Sequence, residues 1–138
     1  MSHMFYNCSS LTSLNLSNFN NTEVKKMSYM FSYCLSLTSL NLSNFNSHQV
    51  RYMSGMFFNC SSLTSLNLSN FKTDNVLDLT KMFYKCSSLN YLDLSNFKIQ
   101  TDNLSDIFGG IKNDCQIKCS DPIITEAFEK RNNNCYLF

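Results

Sequence analysis

Residues 30–45 read MFSYCLSLTSLNLSNF, and the same pattern, MF-x-x-C-x-S-L-x-x-L-x-L-S-N-F, also begins at Met4, Met56 and Met82. The four copies follow one another at intervals of 26 residues without a gap. A segment of this length cannot bury its apolar side chains alone, so the copies must stack side by side and share one core. The sequence therefore predicts a stack of repeats, a type of fold that mostly serves binding.

The second half of each repeat has the two-residue period of a β-strand. Leu14 and Leu16 alternate with polar neighbours, and Leu40 and Leu42 do the same one repeat later. Alternation of this kind is typical of a half-buried strand. Strands at the same place in successive repeats should stack in parallel as one ribbon.

The first half of each repeat has a helical period instead. Met30, Phe31 and Cys34 follow Met27 at spacings that place them on one side of a helix. We therefore predict an α/β fold, a right-handed solenoid whose parallel strands form a ribbon on one face and whose short helices lie on the other.

The C-terminal part of the chain departs from the repeat. Gly109 and Gly110 interrupt the pattern, residues 115–119 alternate like a last strand, and Asp121 with Pro122 suits the N-cap and first position of a helix. The sequence thus predicts a capping strand and helix. Three parts result: repeats over residues 1–108, a C-terminal cap over 109–131, and a flexible tail over 132–138.

The N-terminal end has no such cap. Met1 to Met4 occupy the repeat position of Met27 to Met30, so the sequence begins inside a repeat. The apolar side chains of Phe5 and its neighbours would then face water, which repeat proteins usually avoid with a polar terminal unit. Two interpretations stay open: further repeats upstream, or end-to-end self-association of this chain.

The Leu-x-x-Leu-x-Leu-Ser-Asn-Phe run resembles the leucine-rich repeat signature. Together with Met-Phe-x-x-Cys at a 26-residue spacing, it resembles the repeats of BspA-like surface proteins over about residues 1–108. Members of that family are taken as adhesion or interaction proteins, and amoebal members carry a comparable C-terminal CaaX box. The resemblance implies a leucine-rich-repeat solenoid that binds a protein or matrix ligand, without a cofactor and without catalytic residues.

Charge and residue spacing argue against other function classes. The net charge of +1 gives no electrostatic reason to expect a nucleic acid partner. The two histidines, His3 and His48, lie at different repeat positions, and no Cys-x-x-Cys pair exists. Neither a metal site nor a nucleophile with its base is indicated, so we predict that the protein is not an enzyme.

Four of the seven cysteines share one repeat position: Cys8, Cys34, Cys60 and Cys86. We interpret them as buried, reduced thiols that serve as small apolar side chains. An odd number of cysteines with so many in the core favours a reducing compartment, although disulfides between neighbouring repeats stay open.

The last cysteine, Cys135, is fourth from the end and begins the sequence Cys-Tyr-Leu-Phe. This fits the CaaX pattern for prenylation, and a terminal Phe favours geranylgeranyl. In a eukaryotic source, we predict lipidation at Cys135 and association with the cytosolic face of the plasma membrane. A chance cysteine is the rival interpretation, because Tyr136 is not aliphatic. One prenyl chain gives only modest membrane residence.

Seven Asn-x-Ser/Thr triplets bear on the compartment. Three of them begin inside the predicted strands, at Asn15, Asn41 and Asn67, where glycans would cover the ribbon. We therefore favour a cytosolic protein and keep the cell surface as the alternative.

The outward strand positions are the candidate binding residues. They form columns of small polar side chains along the ribbon, and the fourth repeat replaces them with larger or charged ones. The predicted binding residues are Asn15, Asn41, Asn67, Tyr91 and Asp93. Since such side chains make weak single contacts, affinity would come from repetition. The competing hypothesis is a structural repeat protein that assembles with itself.

Overall fold

The computed structural model of the protein describes residues 1–131. In this range the chain forms five strands of three residues and, after them, one helix of nine residues. The elements are β1 (Ser13–Asn15), β2 (Ser39–Asn41), β3 (Ser65–Asn67), β4 (Tyr91–Asp93), β5 (Gln116–Lys118) and α1 (Pro122–Lys130). The predicted α/β class with repeated short strands is confirmed.

All strand pairs are parallel and follow the repeat register. Ser13 of β1 lies opposite Ser39 of β2, and Ser65 of β3 lies opposite Tyr91 of β4, each time 26 residues along the chain. β5 then pairs with β4, with Gln116 opposite Tyr91. Parallel pairing of equivalent strands in successive repeats is therefore confirmed for β1 with β2 and for β3 with β4.

The strands form two open sheets, β1-β2 and β3-β4-β5, and not the single ribbon that the sequence predicts. Near the gap between β2 and β3, a side chain makes the hydrogen bonds between repeats: the Asn70 amide donates to the carbonyls of Leu42 and Phe45 at 3.0 Å. On other sides the repeats stay joined, as at the parallel bridges Lys26–Tyr52 and Tyr52–Asp78.

The short helices predicted for the other half of each repeat were wrong. Met30 N–H donates to the Met27 carbonyl at 3.2 Å, which closes a turn, and Tyr29 has φ +56°. A positive φ at the third residue of a turn is the type II pattern and stops a helix. Tyr29 N–H instead donates across to the Ser54 carbonyl of the next repeat at 2.9 Å. Stacking thus offers hydrogen bonds that compete with the helix.

Aromatic rings run through the core. The rings of Phe5, Phe31, Phe57, Phe83 and Phe108 stack in one column, with centroids 5.5 to 5.7 Å apart. A second column contains the rings of Phe19, Phe45 and Phe71, with centroids 6.2 Å apart. Because each ring packs on the repeats before and after it, the core is continuous across both sheets.

The cysteine column lies beside these rings, as predicted. The Cys60 thiol donates to the Phe31 carbonyl and the Cys86 thiol to the Phe57 carbonyl, each at 3.1 Å. Burial raises the pKa of the Cys34 thiol to about 11 and that of Cys86 to about 12. All six cysteines of residues 1–131 are free.

We expect these buried thiols to resist alkylation in the folded protein. At pH 8 a pKa of about 11 leaves roughly a hundredth of the thiolate of an ordinary cysteine, and burial excludes the reagent. Peptide mass mapping after iodoacetamide treatment should show slow labelling of Cys34, Cys60 and Cys86, against faster labelling of the half-buried Cys8. Equal rates at Cys8 and Cys60 without denaturant would contradict the burial.

The C-terminal helix closes the core. Oδ1 of Asp121 accepts from the N–H groups of Ile123 at 2.9 Å and Ile124 at 3.2 Å, while Oδ2 accepts from Ile99 N–H at 2.9 Å. The predicted N-cap is thus confirmed, and the same carboxylate also ties α1 to the fourth repeat. The Phe128 ring meets the Phe108 ring edge to face, with centroids 5.2 Å apart.

A column of buried polar side chains links successive repeats on another side. The Thr73 hydroxyl accepts from Lys98 N–H at 2.8 Å and donates to the Lys98 carbonyl at 3.0 Å. One repeat earlier, the Ser47 hydroxyl makes the same two bonds with Lys72, at 2.7 and 3.0 Å. Asn21 occupies the preceding position and bonds the next repeat through its amide.

Candidate functional site

The outward side of the strands, here called the strand face, presents the predicted polar columns. Its members are exposed in β1, β2 and β3: Ser13, Asn15, Ser39, Asn41, Ser65 and Asn67. The strand register holds Asn15 opposite Asn41, and Asn67 opposite Asp93. The gap between β2 and β3 divides the strand face into two parts.

The three asparagines of this face also end their strands. Oδ1 of Asn15 accepts from Ser17 N–H at 3.0 Å, and Oδ1 of Asn41 accepts from Ser43 N–H at the same distance. Asn67 repeats the contact at 2.9 Å. This is the Asx turn, in which a side chain satisfies a backbone donor two residues on. These residues therefore have a structural role, and their part in binding stays a prediction.

Asp93 departs from its predicted outward position, because it is buried and 6% exposed. Its Oδ1 accepts from Ser95 N–H at 3.0 Å and from the Ser95 hydroxyl. Its Oδ2 lies 3.5 Å from Lys118 Nζ and 3.4 Å from the Tyr91 hydroxyl. These neighbours cover the carboxylate, since Lys118 extends from β5 across it. Tyr91, at 38% exposed, is the accessible member of the group.

The environment of Asp93 favours its charged form. Burial opposes ionisation, but the hydrogen bonds from Ser95 and the charge of Lys118 outweigh it, so the pKa of the Asp93 carboxyl lies below its ordinary value. A lowered pKa stabilises the folded state above the pKa of the unfolded chain. This contribution is lost as the pH falls through the folded pKa.

We expect Asp93→Asn to destabilise the protein at neutral pH by about 1 kcal/mol, because the bonds from Lys118 and the Ser95 hydroxyl weaken. The difference from the wild type should begin to shrink below about pH 4, where the unfolded chain takes up a proton, and should be lost as the pH falls through the lower pKa of the folded Asp93 carboxyl. Urea unfolding at several pH values measures this difference in the free energy of unfolding, and Asp74→Asn, at an exposed residue, is the control. A difference that does not change with pH would contradict the charged state of Asp93.

Polar clefts lie where the strand ladder is interrupted. One has a volume of about 520 Å³ and another about 210 Å³, and Asn70 borders both. The larger cleft is lined by Ser43, Asn44, Phe45, Asn46, Ser47, His48, Asn70 and Lys72. Both are open and mostly lined by amide and hydroxyl groups, which suits weak polar contacts with a partner.

A different surface appears on the turns opposite the strands. A cleft of about 330 Å³, here called the aromatic groove, is lined by His3, Tyr6, Tyr29, Tyr33, Phe58 and Lys81. The His3 and Tyr29 rings stack with centroids 5.3 Å apart. Across the groove, the Tyr33 ring lies 5.7 Å from that of Tyr6 and 5.3 Å from that of Phe58.

Gly55 makes this arrangement fit. It occupies the repeat position of Tyr29 and has φ +58°, the third-residue conformation of the turn. A Cβ added there would lie 2.3 Å from Cε1 of Tyr29, so a side chain would displace the ring. Glycine thus provides both the backbone conformation and the space over which Tyr29 lies.

Lys81 lines the groove, and Lys85 lies over the same tyrosine ring as Lys81. Lys81 Nζ lies 5.7 Å and Lys85 Nζ 5.6 Å from the centroid of the Tyr84 ring, which itself stacks with Phe58 at 5.3 Å. Neither lysine forms an ion pair within residues 1–131. Their charges are therefore available to a ligand.

The aromatic groove was not predicted from the sequence. Tyr6, Phe58 and Tyr84 share one repeat position, so a periodic signal existed. The predicted helices would have spread these side chains over a helix surface with no shared cleft. The turns, whose positive φ values the sequence did not indicate, bring the rings together.

One protein family matches most of the chain. Residues 1–119 match the protein family described as "Mycoplasma protein of unknown function, DUF285". The chain belongs to this family. The DUF285 match ends just after β5, so it includes all five strands and not α1. No curated protein and no solved structure gave a significant match.

Two further findings concern this DUF285 chain as far as residue 131. No group of three or more His, Cys, Asp or Glu residues in that range could hold a metal ion. A membrane-spanning helix, long and apolar enough to cross a bilayer, is also not found there. The predicted lipidation residue, Cys135, lies outside the described residues.

Proposed function

We propose that this DUF285 protein is a non-enzymatic scaffold for protein interaction or adhesion, of the BspA-like leucine-rich-repeat type. The observation that carries the proposal is the strand face, where exposed Asn15 and Asn41 lie opposite each other in β1 and β2, and Ser65 and Asn67 present the same kinds of side chain in β3, above a buried core. A surface of this kind offers the same small polar contact several times. No nucleic acid partner is proposed, because the net charge is +1.

Repetition is the source of affinity in this proposal. Serine and asparagine are not the residues that dominate tight protein interfaces, so each contact is weak. Several linked weak contacts raise the overall affinity by about 10² to 10⁴ when the geometry permits simultaneous binding. The partner is therefore a repetitive protein or matrix surface that meets several repeats at once.

The finer fold in this proposal is a right-handed leucine-rich-repeat solenoid. Parallel strands at a constant 26-residue offset support it, as do the phenylalanine columns that continue past the gap between the sheets. In such a fold each repeat contacts mainly its neighbours. The strand face then forms one side along the whole stack.

Adhesion of protein-coated beads tests the binding function. Beads carrying the full chain are counted on surfaces of fibronectin, laminin or collagen, and compared with beads carrying Ser39→Glu/Ser65→Glu. Both serines are exposed and their side chains form no hydrogen bond in the described structure, so the variant should fold. We expect at least a ten-fold loss of adhesion, because two charges desolvate poorly against a neutral face.

The matched control is Gln49→Glu/Gln100→Glu, which adds the same charge at exposed residues away from the strands. The control should adhere like the wild type. Equal loss in both variants would mean that net charge and not the strand face matters. Wild-type beads that adhere to no matrix protein would remove the support for an adhesion role.

We also propose prenylation at Cys135 and localisation at the cytosolic face of the plasma membrane, where the partner is a protein; at the cell surface, the alternative localisation, the partner is a matrix ligand. The CaaX-like end supports it, provided that the chain is made in a cell with a prenyltransferase. The intact mass of the full chain from a eukaryotic cell tests it. A geranylgeranyl increment that Cys135→Ser removes is the expected result. An unmodified cysteine contradicts lipidation, and glycans on the strand face indicate the surface.

Self-assembly is the second candidate function, favoured by one observation. In the first repeat Met4 is 48% and Tyr6 46% exposed, and Phe5 is half-buried where its equivalent Phe31 is fully buried. A second copy stacked end to end would cover these side chains. Light scattering across a wide range of protein concentrations tests this, with Phe5→Ser as the variant that should stay monomeric. A mass that stays monomeric throughout would exclude the assembly.

A further inference from the structure

The aromatic groove has a lining chemistry that differs from the strand face. Its six lining residues include five with aromatic rings and one with an ammonium group, and none with a carboxylate. At about 330 Å³ it lies at the lower end of the size range of small-molecule sites. A ligand of one or two small rings would fill it.

The rings leave their edges and hydroxyl groups open to a ligand. His3 and Tyr29 stack at an interplanar angle of 16°, and Phe58 and Tyr84 at 23°, so the faces within each pair cover one another. The hydroxyls of Tyr6, Tyr29 and Tyr33 form no hydrogen bond with other groups of residues 1–131. Only Tyr6 and Tyr33 among the lining rings are not stacked face to face, whereas three hydroxyls have no partner within the described residues, so this arrangement suits a ligand with many hydroxyls.

The charge at the groove is positive. Lys81 lines it and, like Lys85, lies over the Tyr84 ring; neither lysine forms an ion pair within the described chain. The acidic residue at the next position of the Lys81 column, Asp106, is not among the lining residues. The groove therefore complements an anionic group next to a hydroxyl-rich body.

We propose that the aromatic groove binds an acidic sugar, with the sugar hydroxyls on the tyrosine hydroxyls and its carboxylate on Lys81. The inference rests on the proposed binding function and gives it a second site, on the turns and not on the strands. Two sources share this chemistry, a terminal sialic acid and the uronic acid of a polysaccharide. The apolar edge of Phe58 packs against the C–H groups of the ring.

Calorimetric titration of the full chain tests the site with three probes: sialyllactose, a glucuronate-containing disaccharide and neutral lactose. We expect at least one acidic probe to bind and lactose to bind about ten-fold more weakly, because an ionic hydrogen bond is lost. Lys81→Gln should weaken the acidic probe about ten-fold and leave lactose unchanged. Tyr33→Phe, which removes only a hydroxyl, should weaken both kinds of sugar by about five-fold.

Lys98→Gln is the matched control, since Lys98 is exposed and lies outside the groove. Its affinity for the acidic probe should equal that of the wild type. Binding of one acidic probe alone identifies the source of the sugar. Failure of both acidic probes to bind, equal binding of lactose, or equal losses in Lys81→Gln and Lys98→Gln would overturn the proposal.

The two binding proposals fail separately. If bead adhesion depends on the strand face but no sugar binds, the sugar site at the aromatic groove is contradicted and the scaffold function is supported. If an acidic sugar binds but the beads adhere to no matrix protein, the sugar site is supported and the adhesion function of the strand face is contradicted. An acidic peptide and a single-stranded oligonucleotide are titrated in parallel. If either binds the wild type and loses affinity in Lys81→Gln, the sugar assignment is overturned.

Discussion

Replacing Phe57 with alanine is expected to destabilise the protein by about 3–5 kcal/mol. The ring is fully buried and stacks on Phe31 at 5.5 Å and on Phe83 at 5.7 Å. Its loss would open a cavity that two neighbouring repeats share. Since domains of this size are stable by about 5–15 kcal/mol, this loss is a large fraction of the total free energy of unfolding. Urea unfolding followed by circular dichroism measures the loss.

The adjacent residue supplies the control. Phe58 is only half-buried and its ring lies on the turn surface against Tyr33 and Tyr84. Phe58→Ala should cost about 1 kcal/mol, the contribution of an exposed aromatic pair. The same change at neighbouring positions thus separates the core from the surface. Equal losses at Phe57 and Phe58 would contradict the division of these turns into an inner and an outer side.

Thr73→Val should destabilise the protein by about 2–4 kcal/mol, the second-largest effect that we expect. Valine keeps the shape of threonine but cannot hydrogen-bond, so the N–H and carbonyl of Lys98 each lose a partner next to a fully buried side chain. An unsatisfied buried polar group costs about 1–3 kcal/mol. Thermal and urea unfolding of the variant and the wild type measure the difference.

Two variants test the cause of that loss. Thr73→Ser keeps the hydroxyl and removes only a methyl group, so it should cost less, about 1 kcal/mol. Thr64→Val makes the same chemical change at an exposed position before β3 and should be nearly neutral. If Thr73→Val were as stable as Thr73→Ser, the hydroxyl bridge between repeats would not contribute to stability.

The repeat made much of the fold predictable. A constant 26-residue period fixes the neighbours of every residue, so the parallel register of Leu14 with Leu40 followed from the sequence. The burial of Phe57 and Cys60 followed from the same pattern. The N-cap at Asp121 came from local chemistry alone, because Asp at the N-cap followed by Pro at the first helical position is a favoured start of a helix.

Periodicity could not show that the first half of each repeat forms turns and not the predicted helices. Met27, Met30 and Cys34 are buried at helical spacing, but turns closed three residues apart bury the same set. What decides between them is the next repeat, whose carbonyls accept the N–H groups that a helix would use internally. Positive φ at Tyr29 and Tyr33 is the local consequence. A pattern of burial carries no information about these backbone bonds.

The candidate sites were predicted only in part. Alternation placed Asn15 and Asn41 on the exposed side correctly. It failed for Asp93, because the residue that covers it, Lys118, comes from a strand outside the regular repeats. The aromatic groove depends on Gly55 and the turn geometry around it. Such features arise from contacts between repeats, which a one-repeat pattern does not describe.

We propose that the strand face of the stacked repeats binds the partner, while the buried core only holds this face in place. Bead adhesion of Ser39→Glu/Ser65→Glu relative to the wild type, with the melting temperature of both, tests this most directly. We expect at least ten-fold lower adhesion at an unchanged melting temperature. Adhesion equal to that of the wild type, with the fold intact, would contradict it.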